Sequence, residues 1–207
     1  MTDKQIHGEY TVSHLRPKPE CMDQFMPLWN ARVAAEAAGD MLTFEKLTER
    51  MREFQYEVGE TETFPNAIMT LGKNDILNKY FAGAGYTQTC RMGLKGAGAT
   101  APGDTQNPAS PARAWQEQGG TNVPNYTGTR QTLVMGAAVN GVAIATALSF
   151  AIVTTGGTVA GCFINNGGSA TKDDTSGVLF SAGDFTGGAK VVAPLDTLQV
   201  TYQCTAT

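Results

Sequence analysis

Few residues in this chain could do acid–base or metal chemistry. Its two histidines, His7 and His14, lie at the very start, so imidazole catalysis or ligation in the body of the protein has almost no material. Cys21, Cys90, Cys162 and Cys204 are far apart with no C-x-x-C pair. That is neither a zinc spacing nor a disulfide-stapled scaffold, and reduced, mostly buried thiols are expected. Asp173 and Asp174, with Asp184 nearby, could suggest calcium, and Glu117 with these aspartates could supply paired carboxylates. The spacing is not that of an EF-hand loop, and solvated loop carboxylates are the expected state. Gly96-Ala-Gly98-Ala-Thr-Ala101 fits G-x-G-x-x-A, but Pro102-Gly103 stops the helix whose N-terminus would hold a phosphate, and no Gly-Lys-Ser/Thr follows. Asn125-Tyr-Thr127 is a glycosylation sequon by pattern only. These residues point to a non-enzymatic protein with no cofactor and no metal.

The charge balance narrows the partners. The 207 residues carry 15 Lys and Arg against 19 Asp and Glu, a net charge of -4. No concentrated cationic face is available for nucleic acid. No apolar run approaches a bilayer span, and the start, Met1-Thr-Asp-Lys-Gln, lacks the features of a signal peptide. No nucleic acid and no membrane are therefore expected as partners, and a cytosolic start is expected. Most of the charge lies before residue 96 and most of the glycine after it. A helical first part and an all-β second part follow from that division.

The elements that must position any functional residue read as follows. Residues 1–19 hold Tyr10, Val12 and Leu15, then Pro17 and Pro19, and are expected to form an extended arm. Such an arm is either disordered or ordered only against a partner. From Glu20 a helical pattern puts Met22, Phe25, Met26 and Trp29 on one side, with Pro27 beginning a new helix or kinking this one. Asp40 is an N-cap candidate for an amphipathic helix over 41–57 with a stripe of Phe44, Leu47, Met51, Phe54 and Val58, ended by Gly59. That stripe packs on its own domain or docks on another subunit. Asn74 is expected to cap a further helix whose Ile76, Leu77, Tyr80 and Phe81 lie on the β domain, after a short strand at 67–71.

Residues 95–128 are dense in Gly and Pro and form a long irregular connection, with Trp115 pinning it to the domain. A strand is expected over 86–94. Strands then follow over 132–135, 142–153, 159–164, 178–181, 190–193 and 197–204. In the last, Leu198, Val200, Tyr202 and Cys204 alternate with polar residues, as one buried and one solvated face require. The expected fold is mainly β: an antiparallel β-sandwich or jelly-roll-like domain over 63–207, preceded by an extended N-terminal arm and short α-helices over 1–62.

Several strings resemble one family. Asn66-Ala-Ile-Met-Thr-Leu-Gly72-Lys-Asn74-Asp-Ile-Leu77, Tyr86-Thr87, Gly93-Leu94 and Asn125-Tyr126-Thr-Gly-Thr129-Arg130 are similar to small virion proteins of tailed bacteriophages and related prophages. So are Gly157-Thr-Val-Ala-Gly161-Cys162-Phe163, Thr175-Ser176-Gly177-Val-Leu179-Phe180-Ser181-Ala182-Gly183 and Asp196-Thr197-Leu198-Gln-Val200-Thr201. The resemblance covers roughly residues 64–207 and implies a virion structural role with no activity.

The expected role is capsid decoration or cementing by binding across major capsid protein subunits. The alternative is a tail or head-to-tail accessory protein, such as a fibre base or adaptor. A host-glycan-binding module or an enzyme of the host-recognition apparatus is a third class. Attachment is expected in residues 1–62, through Tyr10, Val12, Leu15, Phe25, Trp29, Phe44, Leu47, Met51 and Phe54. A homo-oligomer, with a trimer as its expected form, would add avidity, and assembly would take place in the bacterial host cytoplasm.

Overall fold

The structure, a computed structural model, describes residues 6–52, 56–81, 89–97, 115–119, 123–152, 155–174 and 176–206. Near the N-terminus, Tyr10, Val12 and His14 alternate with Glu9, Thr11 and Ser13, the period of a strand with one buried face. They form β1 (Ile6–Pro17), which pairs antiparallel with both β2 (Tyr56–Ile68) and β11 (Thr197–Ala206). Tyr10 and Val12 are buried in the core. On the outer face Thr11 and Ser13 exchange hydrogen bonds of 3.0 Å with Thr63 and Thr61. This corrects the arm expected outside the β domain, because residues 6–17 are an interior strand and the boundary expected at 62 and 63 falls within β2. Pro17 does not prevent this, since it stands at the strand's end, where a lost N–H terminates pairing.

The other strands are β3 (Cys90–Lys95), β4 (Gln131–Thr132), β5 (Val142–Ile144), β6 (Leu148–Ala151), β7 (Gly157–Val159), β8 (Gly161–Asn166), β9 (Val178–Asp184) and β10 (Lys190–Val192). The main sheet is antiparallel, with the order β4-β3-β8-β9-β2-β1-β11-β5 and β6 also pairing with β11; β10 and β7 pair separately. It nearly closes on itself. Just past β4, the Val134 carbonyl accepts from the Thr146 N–H at 3.0 Å and the Gly136 N–H donates to the Ile144 carbonyl at 2.8 Å. The chain leaving one end of the order thus runs beside β5 at the other. Inside lie Tyr10, Phe64, Phe150, Val200 and Tyr202 from one half, packed in one cluster with Met92, Leu94, Cys162 and Ile164 from the other. The mainly β expectation holds, and the strands after residue 130 fall close to where alternation placed them. The expected strand over 142–153 is divided into β5 and β6.

The helices are α1 (Met22–Ala38), α2 (Met41–Arg52) and α3 (Thr70–Phe81). Helix α1 is continuous through Pro27 and ends at Gly39, whose φ of 72° is the left-handed cap that glycine adopts without strain. Asp40 caps α2 as expected, its Oδ1 accepting the Thr43 N–H at 3.1 Å. Helix α2 is shorter than expected, because Tyr56 already begins β2. Val58 and Gly59 are strand residues rather than the end of a helix. Gly59 is the extra residue of a bulge, since His14 pairs with Glu60 and Leu15 with Val58.

Helix α3 starts at Thr70 and not after Asn74, because the sheet sets its start: the Met69 N–H donates to the Phe180 carbonyl at 3.0 Å. Gly72 makes this approach possible, as a Cβ there would stand 2.5 Å from the Phe180 oxygen. The expected strand over 67–71 is only the end of β2. The apolar face expected on the β domain is turned partly outward, with Leu77 and Phe81 exposed. Among the described residues no helix is long and apolar enough to cross a membrane.

Candidate binding cavity and contact surface

Phe25 and Trp29 on α1 and Met51 on α2 are buried together with Leu195, and Tyr56 and Ala151 of the sheet pack against them. The two helices are thereby packed against β2 and β6. Between helices and sheet remains a cavity of about 530 Å³, within the usual range for small-molecule sites. Trp29, Phe44 and Met51 line its helical side; Ser149, Gln199 and Thr129 are among the residues on its sheet side.

Arg32 supplies the charge in this cavity. It is 3% exposed, with its guanidinium carbon 5.3 Å from the Trp29 ring centre and 4.5 Å from that of Phe44. Its Nε donates to Thr48 Oγ1 at 2.9 Å and its Nη2 to Thr127 Oγ1 at 2.7 Å. Both hydroxyls are themselves positioned: Thr48 donates to the Phe44 carbonyl at 2.8 Å, and the Thr127 N–H is held by the Ala151 carbonyl at 2.8 Å. Burial lowers the Arg32 pKa, an effect that the Glu36 carboxylate opposes. Arginine keeps its proton regardless. The arrangement can receive an acceptor, and preferentially an anionic one, at a fixed place against aromatic rings.

A second polar cluster is sealed in the core. Glu117 and Arg130, with fully buried side chains, form a bidentate pair with a shortest contact of 2.6 Å. Glu117 also accepts from the Tyr126 hydroxyl at 3.0 Å and from the Asp173 N–H at 2.6 Å. Burial and the neighbouring Glu117 push the Tyr126 phenol well above its usual pKa. With its oxygens engaged from four directions, Glu117 is a clasp tying three segments together, not a carboxylate poised for proton transfer. Asp173 returns a bond to the Glu117 N–H at 3.1 Å, Asp174 accepts from Ser176, and Asp184 pairs with buried Lys95. These aspartates therefore face different partners. Among the described residues no three His, Cys, Asp or Glu side chains gather as metal ligands would.

The residues expected to hold a partner are placed as follows. Tyr10, Val12, Phe25, Trp29 and Met51 are buried within this chain, which corrects their assignment to an intermolecular surface. Leu15, Phe44 and Leu47 are half-buried, with Leu15 and Phe44 on the cavity wall. Phe54 lies outside the described residues, as do 98–103 of the G-x-G-x-x-A segment and its stop. Trp115 is buried against Phe163, with ring centres 4.9 Å apart. His14 bonds Asp196 at 2.6 Å, and His7 is exposed. Arg32 was not legible as a site residue. Its one signal is that it is a lone cation within an alanine-rich stretch of α1.

Exposed apolar residues do occur together elsewhere. Val134, Val139 and Ile144, 59%, 66% and 51% exposed, lie on the ribbon formed by residues 133–146. Met135 and Ala145 pair across this ribbon and turn inward, so Val134 and Ile144 share its outer side. Its tip is fixed by Asn140 and Gly141, both at positive φ. Comparison of the chain with protein-family models, curated proteins and solved structures returned no match.

Proposed function

We propose that this chain is a non-enzymatic structural protein of a tailed-bacteriophage virion, decorating or cementing the capsid by binding across major capsid protein subunits. The resemblance of residues 64–207 to small virion proteins supports the context. The observation that carries the contact is the outward ribbon with Val134, Val139 and Ile144 exposed together, since clustered exposed apolar side chains on a soluble surface mark interaction sites. The contact surface thus moves from residues 1–62 to the ribbon. We also infer that the two halves of the sheet enclose their shared core in the manner of a sandwich or jelly roll, and that the protein assembles as a homo-oligomer, a trimer being the expected form, in the host cytoplasm.

Purified particles lacking the protein, given back either the full chain or an Ile144→Asp variant, test this reading. The full chain should bind at a ratio comparable to the major capsid protein on a stained gel, and the variant should bind much less. A far lower ratio for the full chain would favour the tail or head-to-tail alternative. Equal binding of both chains would remove the ribbon as the contact.

A further inference from the structure

The cavity between the helices and the sheet has a feature that packing alone does not require. Arg32 is almost fully buried, yet among the described residues only its Nε and Nη2 have hydrogen-bond partners, Thr48 and Thr127. Its Nη1 donates no hydrogen bond to a described residue, and Arg32 lines the cavity. A guanidinium held by two rings and two hydroxyls, with N–H groups left over, offers a planar fork to a carboxylate. We propose that this cavity binds a carboxylate-bearing saccharide residue, with the acid group on Arg32 and the hydroxylated ring against the sheet.

The rest of the lining supports a sugar over a peptide. Thr129, Ser149 and Gln199 are exposed on the sheet side and present short hydroxyls and an amide, which suit the many hydroxyls of a saccharide. Phe44 on the helical side and Tyr56 of β2, both half-buried, add apolar ring surface. A peptide ending in a carboxylate could also reach Arg32, but recognition of an extended peptide draws on an open strand edge. The free side of β6 is already engaged. The Ala151 carbonyl accepts the Thr127 N–H at 2.8 Å, Ile152 is bridged to Tyr126, and the Ser149 carbonyl accepts from the Gln131 side chain. The volume of about 530 Å³ accommodates one or two sugar rings. This site is separate from the ribbon assigned to particle contact and does not depend on that assignment.

Titration calorimetry on the full chain decides it, with glucuronate, N-acetylneuraminate, an acidic disaccharide, neutral glucose and an acetylated tripeptide with a free C-terminus as probes. At least one acid sugar should bind saturably and at least about tenfold more tightly than glucose, a difference of roughly 1.4 kcal/mol. Preference for the disaccharide over both monosaccharides would identify a polymer as the source of the acid, and the reverse a free sugar acid. Arg32→Lys should lose most of this affinity, because an ammonium cannot replace the fork. Gln199→Glu, an exposed change that spares the packing, should weaken the acid sugars about tenfold and leave any glucose binding unaltered. Binding of the tripeptide alone, binding of no probe, or acid-sugar affinity unchanged in Gln199→Glu would each overturn the proposal.

Discussion

Tyr10 and Ser181 share a buried hydrogen bond of 2.9 Å although 171 positions separate them in the chain. The bond joins β1 to β9, two strands that are not neighbours in the sheet, across the core. It makes the N-terminal strand part of the fold. Deletion of residues 1–19 should therefore abolish the cooperative unfolding transition, since it strips the partner from one edge of both β2 and β11. Tyr10→Phe should cost about 1–2 kcal/mol by leaving Ser181 without its partner. Urea denaturation checks both, and a truncated chain that still unfolds cooperatively would show β1 to be dispensable.

The Glu117–Arg130 pair is expected to be destabilising mainly when broken. Arg130→Met strands a buried carboxylate and should cost about 3–5 kcal/mol, while Glu117→Leu combined with Arg130→Met should cost clearly less. A double-mutant cycle in urea gives the comparison. Equal losses in the single and double variants would mean that the pair's charges are not what matters.

Gly72→Ala should lower stability by about 1–3 kcal/mol, because the new methyl would stand 2.5 Å from the Phe180 carbonyl oxygen and backbone must move to admit it. Hydrogen exchange should show the loss concentrated in α3 and the start of β9. Unchanged protection there would argue that α3 does not lie on β9 so closely.

Alkaline pH should destabilise the protein. Burial raises the phenols of Tyr10, Tyr126 and Tyr202 above the usual 10.0 and the Cys162 thiol above the usual 9.0. The unfolded chain then releases these protons first. Stability from these groups is complete below pH 9 and falls as pH rises through the usual values toward the raised ones. Buried Lys95 and half-buried Lys172, with values lowered by desolvation, act in the opposite sense. Tyr56 and Cys204, also raised by burial, join the first set, and with six groups against two the urea midpoint should drop between pH 9 and about pH 11. A flat profile there would contradict the burial of these side chains. Iodoacetamide should label Cys162 only on unfolding.

Trp29→Ala should act on stability, by about 3–5 kcal/mol, since the ring is part of the contact that fixes α1 to the sheet. Ile144→Thr, at a half-exposed position, should stay within about 0.5 kcal/mol of the parent. Thermal melts separate the two. A stable Trp29→Ala variant would return Trp29 to the list of surface anchors.

What the sequence by itself determined was local. Alternation in 197–204 and the Asp40 cap specify backbone geometry over a few residues, and β11 and α2 form where these signals stand. Tertiary structure decided what lies between distant segments. In β2 the pattern is masked because Glu60 and Glu62, on the same face as Phe64, are charged and pair with Lys190, so only Phe64 and Ile68 are buried in a strand of 13 residues. Nothing local marks it as the neighbour of β1. For the same reason Tyr10, Phe25 and Trp29 were legible as apolar anchors but not as anchors within their own chain, since hydrophobicity says that a side chain will be covered and not by what. The Arg32 cavity and the Glu117 clasp exist only once α1, α2 and the sheet are assembled, because each needs donors and acceptors that loop closure brings together from separate parts of the chain.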